Sequence, residues 1–182
     1  MMRLPAPAKT HHVRTEQIIL FRVSGQLFAL SSAAVQEVRG VDSLSGMARE
    51  LQEAAVSKVQ YVLWRGGQSL YVVNAAMHFG LAPATPALVF VLRRTRTALL
   101  IDGIEEMTTM TRLQALSQAF CHEEREWYRG LTVLDQAVIP VVKPEGFLTA
   151  EELAVLDTSL SSNGSKHTEN RSGEWQNEGA AL

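Results

Sequence analysis

The residues equipped for chemistry are few in this chain, and they stand apart from one another. Cys121, the single cysteine, adjoins His122. Adjacent positions give neither the ligand number nor the spacing of a metal site. A catalytic thiolate would need an orienting partner that the sequence does not supply. His11-His12 and His167 sit in polar surroundings near the two ends, where the spacing predicts solvated imidazoles. His78 lies alone in an apolar stretch, and a packing role is expected for it. Glu105-Glu106 and Glu123-Glu124 are adjacent pairs. General acid–base work needs two carboxylates facing each other across a pocket, whereas neighbours on a strand point to opposite faces. Gly66-Gly67 lacks the spacing and the following Lys-Ser/Thr of a phosphate loop, so it is expected to make a tight turn. No Ser–His–Asp order stands out. The chain is read as a non-enzyme with no cofactor and no metal.

A different pattern carries more. Charged residues fall at turns and strand ends beside apolar runs. Val35, Gln36 and Glu37 follow one apolar hairpin, and Arg65 sits at the bend of another. Rigid β scaffolds present binding residues in this way.

The elements that must position these residues are short. Thr15–Val23 and Gln26–Leu30 read as a hairpin around Ser24-Gly25. Ser31-Ser32 offers an N-cap for a helical turn over Ala33–Val38. Asp42–Ser57 has apolar residues at helical spacing and reads as a short amphipathic helix or a structured loop. Lys58–Leu81 reads as strand, glycine turn, strand and a short helix, with Asn74 as cap and Gly80 as stop. Ala87–Arg93 and Arg96–Asp102 are apolar strands around Arg94-Thr95, and Asp102-Gly103 is a further hairpin signal. Ile104–Met110 is a weaker strand placed at an edge. Thr111–Glu126 is irregular or partly helical. Trp127–Leu134 and Ala137–Val142 make a last hairpin, where Pro140 argues for an edge or a bulge. Phe147–Leu156 is a helix, with Thr149 and Glu152 as a capping box.

Many short strands with frequent turns indicate a mainly β barrel or sandwich. Residues 1–14 are expected to be a flexible leader, 15–157 the domain, and 158–182 a disordered tail around Trp175. Seventeen basic against nineteen acidic residues give no electrostatic reason for nucleic acid or an anionic membrane as partner. No apolar run reaches the roughly 20 residues of a membrane helix. With one cysteine and no secretory signal pattern, a cytoplasmic location is expected.

Four pieces in collinear order resemble the CheW-like domain of chemotaxis scaffolds. They are LFRVSGQLFAL with VQEVRG at Val35–Gly40, WRG at Trp64–Gly66 with LYVVNAAMHFGL, ALVFVLRRTRTALLIDGIEEM, and RGLTVLDQAVIPVVKPEGFL. The resemblance spans about Glu16–Leu156. It departs from the family pattern at Tyr71 for a proline, Asn74 for an aspartate, Leu63 for an asparagine and Gln60 for a glycine. The resemblance implies two SH3-like five-stranded β-barrels sharing an apolar core, and no catalysis. It implies two partners: the regulatory domain of a CheA-type histidine kinase and the cytoplasmic tip of chemoreceptors. Carried over by motif, a receptor-facing groove includes Val35, Glu37 and Arg65. Two alternatives stand beside it: the same fold with a different partner, or a small-barrel protein binding a ligand or nucleic acid.

Overall fold

The computed structural model describes residues 15–45, 48–51 and 56–169. The expected leader, the tail beyond Glu169 with Trp175, and parts of the 42–57 segment lie outside the described residues. Eleven strands and three α-helices are assigned within them. In chain order they are β1 (Glu16–Val23), β2 (Gln26–Ser31), β3 (Val35–Gly40), β4 (Ala48–Glu50), β5 (Val59–Arg65), β6 (Gln68–Asn74), α1 (Ala75–His78), β7 (Leu88–Leu92), β8 (Thr97–Ile101), β9 (Gly103–Met110), α2 (His122–Trp127), β10 (Tyr128–Leu134), β11 (Ala137–Val142) and α3 (Ala150–Glu169).

They form two sheets. One has the order β10-β11-β2-β1-β9 and the other β3-β7-β8-β6-β5-β4. Each curls into a small barrel, called barrel 1 and barrel 2 below. The sixth strand of barrel 2 is the three-residue β4, which pairs with β5 through Ala48↔Leu63 and Glu50↔Tyr61. The amphipathic reading of the 42–57 segment therefore gives way to a 3-10 turn at Val41–Leu44 followed by this strand.

Alternation along the central strands explains the architecture. Side chains on a strand point to opposite faces, so a strand buried on both sides must be apolar at nearly every position. On β1, Ile18 and Leu20 enter the core of barrel 1, while Ile19, Phe21 and Val23 enter a core between the barrels. On β6, Leu70 and Val72 fill barrel 2, while Tyr71 and Val73 face the shared core. Strands β7 and β8 divide in the same way, with Val89, Val91, Ala98 and Leu100 inside barrel 2 and Phe90, Leu92, Leu99 and Ile101 in the shared core. Three apolar clusters result, one within each barrel and one joining them.

The Arg65–Gln68 turn places Gly66 and Gly67 at φ 56° and 79°, the left-handed conformation that such two-residue loops require. Asn74 caps α1 by accepting from the Met77 amide at 3.2 Å. Thr149 and Glu152 form the expected capping box, with Thr149 Oγ1 accepting from Glu152 N at 3.1 Å and Glu152 Oε2 accepting from Thr149 N at 2.8 Å.

Four expectations are corrected. Val35–Gly40 is a strand and not a helical turn. Only a 3-10 turn at Ser32–Ala34 precedes it, without a side-chain cap, because pairing with β7 outweighs the local capping signal. Asp102-Gly103 does not make a hairpin: the chain crosses there from β8 in barrel 2 to β9 in barrel 1, where β9 pairs with β1. Strand β11 is not at an edge. It lies between β10 and β2, and Pro140 pairs in register with Leu131; the irregularity of the β10–β11 ladder falls between Tyr128 and Gly130, so neither an edge nor a bulge sits at the proline. Helix α3 starts at Ala150 and continues past Leu156 to Glu169, into the segment expected to lack structure.

Candidate functional site

The geometry begins with a bulge. Val35 pairs with Leu92, and Glu37 pairs with Val91, so Gln36 is an extra residue in the β3–β7 ladder. Residues opposite each other in a ladder share a face. Leu92 belongs to the shared core and Val91 to the core of barrel 2. The bulge therefore sends Val35 and Glu37 to opposite sides of the sheet. Val35 is 9% exposed and packs in the shared core. Val35 thus helps to anchor β3 and presents only a small part of its surface outward.

Arg65 ends β5 two residues after Leu63, which lies in the barrel 2 core, so its side chain leaves the sheet on that same face. Glu37 Oε2 accepts from Arg65 Nη1 at 3.1 Å, and Glu37 Oε1 accepts from Arg39 Nε at 2.6 Å. Strands β3 and β5 are separated by three others in the sheet order, so this contact spans the mouth of the curled sheet. All three side chains remain about one-third to one-half exposed. The Arg39 hydrogen bond, aided by Arg65, holds the Glu37 carboxyl below the usual carboxylate range. Two guanidinium groups share one carboxylate, and the cluster carries one net positive charge.

A second polar cluster escaped the sequence reading. Arg96 donates to Asp157 through Nη1 at 2.7 Å and Nη2 at 2.6 Å. It also donates to the Ser69 carbonyl at 3.1 Å and to the Ser69 hydroxyl. The Tyr71 hydroxyl donates to Asp157 Oδ1 at 2.5 Å, and the Arg96 guanidinium lies 5.3 Å from the Tyr71 ring centroid. The Arg96 hydrogen bonds hold the Asp157 carboxyl down at about 2. Burial first, and Asp157 second, push the Tyr71 phenol up. Nearer the start of α3, Lys58 Nζ meets Glu152 Oε1 at 2.8 Å. These two ion pairs latch α3 against barrel 2. The sequence did hold a signal for it: Leu160 continues the helical period of Leu153 and Leu156 past the expected end, and Asp157 lies beside them.

His78 is buried where the barrels and α3 meet. Its ring lies 4.7 Å from Trp127, 4.9 Å from Phe147 and 4.9 Å from Phe79, centroid to centroid. Lys58 Nζ is 3.4 Å from its Nδ1, and Nε2 has no hydrogen-bond partner. Desolvation, reinforced by the Lys58 charge, lowers its pKa to about 3. The expected packing role is what the structure gives. Among the described residues, no group of three or more His, Cys, Asp or Glu is placed to hold a metal ion. No described helix is long and apolar enough to cross a membrane.

Two small β barrels thus pack on a shared core, with exposed charged residues at the mouth of one. The CheW-like domain model matches residues 17–152, and the chain belongs to that family. It is thereby a scaffold or coupling protein of the chemotaxis type, from a family of non-catalytic members. Among solved structures, the scaffolding protein TtCheW from Thermoanaerobacter tengcongensis shares the fold at a TM-score of 0.59. Sequence identity to it is 13%, over 71% of this chain and 90% of that one. No curated protein matches the chain at a significant level.

Proposed function

We propose that this protein couples chemoreceptors to a CheA-type histidine kinase, holding the receptor's helical tip at the mouth of barrel 2. The observation that carries this reading is the Glu37–Arg65 pair, 3.1 Å apart although 28 residues separate them in sequence. An amphipathic helix laid across a hydrophobic groove takes its register from such flanking charges. The departures at Tyr71 and Asn74 do not favour a changed partner, since both serve the fold: Tyr71 bonds Asp157, and Asn74 caps α1. A nucleic-acid reading would draw on the basic cluster Arg93, Arg94 and Arg96, and it loses Arg96 because Asp157 holds that guanidinium.

The test is co-sedimentation with receptor tips and with the kinase regulatory domain. Arg65→Ala and Glu37→Ala are expected to weaken receptor association about tenfold, the scale of one or two charge-assisted hydrogen bonds, with unchanged circular dichroism. Wild-type receptor binding by both variants would remove the pair from the interface. Failure of the wild-type chain to bind either partner would end the coupling proposal.

A further inference from the structure

Trp64 is 64% exposed, an unusual state for an indole on a strand whose preceding residues Val62 and Leu63 are buried. It follows Val62 by two positions, and Val62 packs in the shared core, so Trp64 leaves the sheet on the face toward α3, opposite Arg65. There it lines a cleft of about 350 Å³ together with Gly67, Gln68, Asp157, Leu160 and Ser161.

The chemistry of this cleft is restrictive. Its polar floor is the α3 latch, whose members satisfy one another: Asp157 receives both terminal nitrogens of Arg96 and the Tyr71 hydroxyl. That floor has little capacity left for an ionic ligand. What remains available are the apolar surfaces of Trp64 and Leu160 on either side of the opening. One wall stands on a β hairpin and the other on a helix fixed by two ion pairs, so their separation is set before anything binds.

We infer that Trp64 and Leu160 form an apolar socket for one aliphatic side chain of the receptor helix, across the hairpin tip from the Glu37–Arg65 contact. This rests on the coupling role proposed above. Trp64 and Arg65 leave opposite faces of β5 at the tip of one hairpin, so a helix roughly 10 Å across that lies over this tip can touch both. The net positive charge of the Arg39–Glu37–Arg65 cluster selects a helix whose apolar stripe is edged by carboxylates. An exposed tryptophan at the edge of a rigid cleft is the residue type that most often dominates such contacts.

The experiment titrates a receptor-tip fragment into the full-length, nitrogen-15-labelled chain and follows the Trp64 indole N–H, assigned with Trp64→Phe. Trp64→Ala and Arg65→Ala are titrated in parallel, and the kinase regulatory domain serves as a second ligand. Expected are a shift of the Trp64 indole signal, at least tenfold weaker receptor binding for Trp64→Ala, and unchanged binding of the kinase domain. Wild-type affinity in Trp64→Ala, with Arg65→Ala impaired, overturns the socket and leaves the coupling role standing. No binding by the wild-type chain overturns both. A chain ending at residue 169 gives one more arm: if that truncation alone moves the Trp64 signal as the fragment does, the tail is the occupant and the inference fails.

Discussion

Acidification should weaken this fold before its carboxylates titrate, and His78 is the reason. The ring is buried against Trp127, Phe147 and Phe79, with the Lys58 ammonium 3.4 Å from Nδ1. Its pKa falls from 6.5 to about 3 on folding. Between those values the unfolded chain binds a proton that the folded chain refuses. Stability is therefore complete above the unfolded pKa and declines as pH drops below it, by about 1.4 kcal/mol for each unit. Between about pH 8 and about pH 5 the loss is roughly 2 kcal/mol, a large part of the stability of a small domain. That window lies above the range in which ordinary Asp and Glu titrate, so they add little to it. The assay is urea unfolding followed by circular dichroism at both pH values, for the wild type and for His78→Leu. The variant should lose most of the difference, whatever its stability at about pH 8. Equal losses in the two proteins would show that His78 takes up its proton in the folded state, and the burial argument would fail.

Two further outcomes test the frame around the site. Asp157→Asn should lower stability by about 1 kcal/mol at neutral pH, since 45% exposure of the Asp157 side chain screens much of the attraction to Arg96. That contribution belongs to pH above the ordinary aspartate range and fades as pH falls through about 2, and a melting temperature equal to wild type at neutral pH would refute the latch. Gly130→Ala should cost about 1–3 kcal/mol, because its Cβ would strike the Gln114 carbonyl oxygen and the Leu113 side chain where the 113–114 segment crosses β10; a neutral denaturant midpoint would mean that this segment gives way freely.

What the sequence made legible was local. Hairpins announced themselves through Ser24-Gly25, Gly66-Gly67 and Asp135-Gln136, and the apolar runs of β1, β7 and β8 matched strands buried on both faces. The capping residues Asn74 and Thr149 were readable because their partners lie three residues away. The misses arose from distant contacts. Ala33–Val38 carries a helix-start signal, and only pairing with β7, more than fifty residues later, turns it into a strand. The Gln36 bulge cannot be read from period-two patterning, which would put Val35 and Glu37 on one face. Arg96 reads locally as the first residue of a strand, and nothing near it in sequence points to Asp157, its partner 61 residues away at the end of the expected domain. The Glu37–Arg65 proximity came from the family resemblance and from no pattern within the chain.

The division of strands between the sheets also fixes an order of assembly. Barrel 2 takes β3 to β8, a continuous stretch from Val35 to Ile101, whereas barrel 1 is built from the two flanking stretches. On a ribosome, every strand of barrel 2 has been synthesised before the first residue of β9. The β1–β2 hairpin must wait for β11 before Ala29 can meet Val141, and Glu16 reaches Arg129, 113 positions later in the chain. One barrel is thus an insertion within the other. The half that bears Glu37 and Arg65 can close early, while the half that backs it stays open until the chain is nearly complete.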